Sequence, residues 1–267
     1  MAHLEVIVRA KIRPGQLEGV KAQAAEILRV TREKDTHTLR CDWFINEDGT
    51  QCEVHEMFTD EQALIEHKMH TMEAADRLFR DFAFDHRSTL YGEVSENFLN
   101  LVKERMGDDA SRLLVPAGTR SVGNGLATGG QSRRAPEDSE GGVMGHLEVH
   151  AHLKIRPGQL EGFKAQAAEI MRLTREKDTQ TIRYDWFINE DGTECEVHET
   201  YLSGRALIEH NAHVMEARAI LFERYAYDHR MTAFGEVSQE FRELADKHAG
   251  GIAVYSFLQG LETAAAV

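Results

Sequence analysis

Cysteine is scarce in this chain: Cys41, Cys52 and Cys195 are the only three among 267 residues. Their spacing offers no even-numbered framework, so a disulfide-stapled fold is not expected, and reduced thiols in a cytoplasm fit best. Basic residues are also in deficit, 31 Lys and Arg against 45 Asp and Glu, for a formal net charge of −14. Nucleic acid and an anionic membrane surface both need a basic face, so neither is expected as a partner. No apolar run approaches the length needed to span a bilayer. The first residues, Met1-Ala2-His3-Leu4-Glu5, lack the basic and apolar segments of a secretory leader. The Gly-rich phosphate loop, the dinucleotide fingerprint and the nucleophile elbow are missing as well.

What the chain does have is itself, twice. Shifting the sequence by 143 places lays His3-Leu4-Glu5-Val6 on His146-Leu147-Glu148-Val149. Lys11 to Gly19 reappears unchanged as Lys154 to Gly162, and Trp43 to Thr50 as Trp186 to Thr193. A period this long is duplication of a whole domain rather than a solenoid repeat. The two copies are expected over residues 1–114 and 144–267, the second carrying a C-terminal tail. Residues 115–143 are rich in Gly, Ser, Arg, Pro and Ala, and they read as a flexible linker spanning roughly 30 Å.

Each copy parses as strand, helix, hairpin, helix, strand. From His3 to Ile12, apolar residues alternate with mostly polar ones, the mark of a half-buried strand. Pro14 is expected to open a helix whose inner face carries Leu17, Val20, Ala24, Ile27 and Thr31. Two β-rich runs flank Asn46-Glu47-Asp48-Gly49, which suits a type I turn with Gly in the left-handed position. The side of this hairpin that faces inward stays open at this level, because such turns carry bulges. Asp60 caps a second helix reaching about Phe82, with His70 a candidate break. The last strand is expected over Asp85 to Val94, followed by a short helix containing Phe98, Leu101 and Val102. The order β-α-β-β-α-β is the ferredoxin-like split unit, an α+β fold with helices on one sheet face. The bare face needs a cover, and the second copy is the expected one.

Several motifs, in order and in both copies, resemble the antibiotic biosynthesis monooxygenase (ABM) superfamily of dimeric α/β barrels, which includes quinol monooxygenase-type members. They are Lys11-Ile12-Arg13-Pro14-Gly15, the strand Leu39 to Trp43, Glu56-Met57-Phe58, and Ala63-Leu64-Ile65-Glu66-His67. Their counterparts begin at Lys154, Ile182, Glu199 and Ala206. The tail Tyr255 to Leu261 is similar to a segment that follows the last strand in some members. The resemblance implies two ferredoxin-like units forming a dimeric-type α/β barrel as an intrachain pseudo-dimer, with further homo-oligomerisation left open. It implies a cofactor-independent monooxygenase acting on a small electron-rich aromatic, a quinol or polyketide-type phenol, with dioxygen. Haem-degrading relatives carry a Trp where Phe58 and Tyr201 stand, so haem is not expected, nor is another organic cofactor. The alternative is a non-catalytic barrel that binds a small hydrophobic ligand or serves as a stress or assembly module.

Candidate residues follow from both arguments. His67 falls within the apolar arc of the second helix, and so does His210 in the second copy. A buried neutral histidine bonded to a carbonyl or to Glu56 explains this as well as a catalytic base does. Glu56 and Glu199 with Arg40 and Arg183 read first as cross-strand ion pairs, and second as base-side partners in which arginine holds an oxyanion. Trp43 and Phe58, with Trp186 and Tyr201, are core residues or the lining of an aromatic pocket. His70 and His213 complete a His-x-x-His in each copy, with His55 or His198 as third ligand, but no metal site is expected. His150 and His152, without counterparts in the first copy, read as solvated or interface positions.

Overall fold

The structure is a computed structural model that describes residues 3–106, 113–114, 146–235, 237, 239, 241–243 and 251–261. The expected linker, 115–143, lies outside the described residues. Two compact units are present. In the first, β1 (Leu4–Ile12) leads through a turn into α1 (Leu17–Lys34). The hairpin β2 (Thr38–Asn46) and β3 (Gln51–Phe58) follows, then α2 (Glu61–Arg77), a single π-helical turn (Leu78–Phe82), β4 (Ala83–Tyr91) and α3 (Glu96–Met106). A two-residue strand, β5 (Leu113–Leu114), runs parallel to β4.

The second unit repeats the plan with β6 (Leu147–Ile155), α4 (Leu160–Lys177), β7 (Thr181–Ile188), β8 (Glu194–Tyr201), α5 (Gly204–Ile220), a π turn (Leu221–Tyr225) and β9 (Ala226–Phe234). Strand orders β4-β1-β3-β2 and β9-β6-β8-β7 are the ferredoxin-like arrangement, antiparallel throughout. Among the described residues no helix is long and apolar enough to cross a membrane.

Local physics explains the boundaries, and corrects some expectations. Pro14 does not open α1. It occupies the second position of a turn closed by Gln16 N–H donating to the Arg13 carbonyl at 2.9 Å. Gly15 takes φ +74° there, as the third position of a type II turn demands. The helix then starts at Leu17 and buries Val20, Ala24, Ile27 and Thr31 as its spacing predicts. The hairpin turn closes through Gly49 N–H on the Asn46 carbonyl. Asp60 caps α2 by accepting from the Ala63 amide at 2.9 Å. That helix passes His70 without a break and ends in the π turn.

The last strand of the first unit begins two residues earlier than expected, at Ala83. Asp85 adopts φ +50° where the register with β1 slips between Arg9 and Lys11.

The C-terminal tail departs from the expected domain division. It forms β10 (Ala253–Gly260), and from Tyr255 onward it belongs to the first unit, pairing antiparallel with β2. Its hold extends to α1, where Arg32 Nη2 donates to the Gly260 carbonyl and Gln259 Nε2 to the Lys21 carbonyl. The first unit's sheet therefore reads β5-β4-β1-β3-β2-β10.

Candidate functional site

Register decides which side chains of the first unit meet the helices. Leu90, Val6, Glu56 and Cys41 form one row across β4, β1, β3 and β2, and Ser88, Val8, Val54 and Trp43 form the next. These rows face α1 and α2. A cavity of 550 Å³ lies between them and α2, lined also by Phe98, Leu101 and Val102 of α3. Its wall is mostly apolar, and the volume is in the range that takes a drug-sized molecule.

His67 reaches this cavity from α2 and is 1% exposed. Its Nδ1 lies 2.6 Å from Asp35 Oδ2, and its Nε2 lies 3.2 Å from Glu56 Oε1. Lys68 Nζ donates to the other Glu56 oxygen at 2.6 Å. Asp35, just past the end of α1, also receives Thr38 Oγ1 at 2.8 Å and His70 Nδ1 at 2.6 Å. The result is a chain of alternating charge, Asp35, His67, Glu56 and Lys68. Burial alone would push both carboxyls up. Hydrogen bonds from His67, His70 and Thr38 instead hold Asp35 down at about 2, and Lys68 with His67 holds Glu56 at about 2. Burial would lower His67, but the two carboxylates outweigh it and raise its pKa.

This geometry changes what the sequence-derived residues can do. With a carboxylate against each ring nitrogen, the surroundings favour the doubly protonated ring of His67, in which both N–H groups are paired, over a free base. Arg40 is not beside it. The strand bulges between Thr38 and Arg40, which puts Cys41 rather than Arg40 on the Glu56 row. Arg40 Nε bonds Asp42 Oδ2 at 2.7 Å, and Arg183 repeats this with Asp185. The expected Glu56–Arg40 pair does not form, and Lys68 takes that place. Trp43 lines the cavity, whereas Phe58 lies fully buried with its ring 5.3 Å from that of His67.

His55 bonds Glu53 on the opposite face of β3, while His67 and His70 are occupied by Asp35. Among the described residues no third ligand joins that histidine pair. Of the two alternatives for His150, its 2% exposure excludes the solvated one, and the ring bonds Glu148 at 2.9 Å. Sequence reasoning missed Asp35 and Lys68. Their signals were the Lys-Asp after the first helix in both copies and the cation adjoining His67.

The second unit keeps the histidines, and among the described residues the space that matches the cavity is much smaller. His210 and His213 take the two oxygens of Asp178, at 2.6 and 2.7 Å. Lys68 is replaced by Asn211, and Glu199 is left with the Tyr201 hydroxyl at 2.7 Å. Burial now dominates and raises the Glu199 pKa. Tyr184 replaces Cys41, Arg218 replaces Ala75 and Met231 replaces Ser88. All three line what remains, a void of 30 Å³ beside Trp186, about the room one water occupies. Trp186 Nε1, like Trp43 Nε1, is buried without a hydrogen-bond partner.

No protein-family model and no curated protein matches the sequence. Solved structures do match. A "putative monooxygenase" from Lactobacillus acidophilus NCFM superposes with TM-score 0.55 at 11% identity, over 86% of this chain and 92% of that one. A "putative monooxygenase" from Fusobacterium nucleatum gives TM-score 0.56 at 9% identity, over 86% and 90%. A "putative antibiotic biosynthesis monooxygenase" from Nitrosomonas europaea aligns with 35% of this chain and 92% of its own, at 18% identity and TM-score 0.31. At these identities the likeness is one of fold. The two structures with TM-scores above 0.5 share that fold over 86% of this chain.

Proposed function

We propose that the first unit is a monooxygenase acting on a small electron-rich aromatic, a quinol or polyketide-type phenol, with dioxygen as co-substrate. The observation that carries this reading is the 550 Å³ apolar cavity with Glu56, His67 and Lys68 in its wall. A substrate hydroxyl entering there donates to Glu56. Lys68, whose side chain is 46% exposed, turns from Glu56 to the developing phenolate. Once Lys68 moves, Glu56 loses its strongest charge partner and becomes a better proton acceptor, the condition in which Glu199 already sits. The imidazolium of His67 adds a second fixed positive charge near the anion. In a water-poor cavity that anion passes its electrons to dioxygen. For a methylene between rings, CH2 plus O2 gives C=O plus H2O, so the substrate is the only reductant consumed.

The second unit, with its cavity filled, is assigned a structural part, which gives one site per chain. A cytoplasmic location belongs to the same reading, with Cys41, Cys52 and Cys195 as buried thiols.

The test is oxygen uptake with hydroquinones and polycyclic phenols, without added flavin or metal. Introducing the second unit's residues into the first, as Ala75→Arg with Ser88→Met, should abolish it. Absence of uptake across such a panel, or uptake that survives the filled cavity, refutes the proposal.

A further inference from the structure

The cavity of the first unit has a second polar point. Ser88 on β4 faces it from an otherwise apolar row, and the hydroxyl makes no side-chain hydrogen bond among the described residues. His86, two residues earlier on the strand, also reaches the wall, its ring stacked on Phe79 at 4.1 Å. Glu56 and Ser88 stand two strands apart and one two-residue step apart along them, a backbone separation of about 12 Å. The wall between them is Val6, Val8, Val54 and Leu90. A single phenol ring satisfies one of these points and leaves the other facing apolar surface.

The second unit supplies an internal comparison. Where the cavity closes, both points change together, Lys68 to Asn211 and Ser88 to Met231, while the flanking His86 and Phe79 persist as His229 and Phe222. The hydroxyl at position 88 therefore goes with an open cavity and not with the fold.

We infer that this cavity takes an elongated, fused-ring aromatic with an oxygen function at each end, one met by Glu56 and Lys68 and the other by Ser88. This rests on reading the cavity as the ligand site and makes Ser88 a specificity-determining residue. A flat ligand of that length lies along the Val8 and Val54 row, with its rings against aliphatic side chains and each polar end paired. A ligand oxygenated at one end leaves Ser88 without a partner, and a buried hydroxyl in that position loses the free energy of one hydrogen bond.

The test is calorimetric titration of the whole chain with 2,6-dihydroxyanthraquinone and with 2-hydroxyanthraquinone. Both are already oxidised, so binding is read apart from turnover. The diol should bind about three- to tenfold more tightly, and Ser88→Ala should erase that difference by weakening the diol and relieving the unpaired hydroxyl that the mono-ol leaves behind. Equal affinities, a difference that survives Ser88→Ala, or binding of neither compound overturns the inference. Oxygen uptake with one-ring quinols alongside any of those results leaves the monooxygenase reading standing. Tight, Ser88-dependent binding of the diol with no uptake on any substrate does the reverse.

Discussion

Asp35 and His67 are joined by a 2.6 Å hydrogen bond between the end of α1 and the buried face of α2, and the bond helps to lower the pKa of Asp35 and to raise that of His67. Asp35, held at about 2 against an ordinary 3.8, contributes stability that is complete above pH 4 and lost as the pH falls toward 2. His67 has the opposite sign. Its contribution is complete below its ordinary 6.5 and is lost as the pH rises through its elevated folded value. Glu56, likewise held at about 2 against an ordinary 4.5, adds to the acid loss, so the first unit should be most stable between about pH 4.5 and 6.5. Asp35→Asn should cost about 2 kcal/mol at pH 5 and flatten the acid limb. Urea midpoints followed by Trp43 fluorescence in a Trp186→Phe background check this, and an unchanged acid limb contradicts it.

Lys68 and His67 together hold the Glu56 carboxyl low, with the Lys68 charge the larger of the lowering causes. In Lys68→Asn, the residue found at the equivalent position 211, the Glu56 carboxyl should rise from about 2 in the direction taken by Glu199. Carbon-13 titration of the Glu56 carboxyl reads the shift. A value that stays near 2 means that His67 alone suffices, and the proposed handover of Lys68 to substrate loses its basis.

Glu199 offers the reverse experiment. Its folded pKa lies above 4.5, so its ionisation weakens the second unit as the pH rises through that window. Glu199→Gln, which keeps an acceptor for the Tyr201 hydroxyl, should raise the urea midpoint at pH 7. The gain should vanish below pH 4, where the parent is protonated. A loss at pH 7 would show that the charge is compensated.

Gly19 is required by the π turn. A Cβ there would collide with the Phe82 ring, and one at Gly162 with the Tyr225 ring. Gly19→Ala should destabilise the first unit by about 1–3 kcal/mol through overpacking, with partial recovery in Gly19→Ala/Phe82→Leu. Thermal denaturation of both variants distinguishes crowding from backbone effects.

β10 guards an edge. Ending the chain at Val254 removes the pairing of Tyr255 to Gly260 with β2 and uncovers that strand. The truncated chain should show faster hydrogen exchange along Asp42 to Asn46 and greater aggregation. Unaltered protection would mean that β10 adds little to the first unit.

Much of this was legible in residues 1–267 read as text. The duplication, the strand and helix periods, the Asp60 cap, the Gly49 turn and the inward position of His67 are local properties, fixed by spacings of two or three to four residues. The tail was recognisable as a segment, but its strand partner was not, because pairing depends on which edge is open in the folded unit.

The sequence by itself determined two ferredoxin-like units and the histidine that each would bury. Only the tertiary structure decided what those histidines can do. Asp35 meets His67 across 32 residues of chain, a one-residue bulge turns Arg40 away, and Lys68 replaces it. The difference between a 550 Å³ cavity and a 30 Å³ void is a sum of side-chain volumes converging from separate strands and helices. No periodicity along the chain records that sum, and it follows only from which residues end up facing one another.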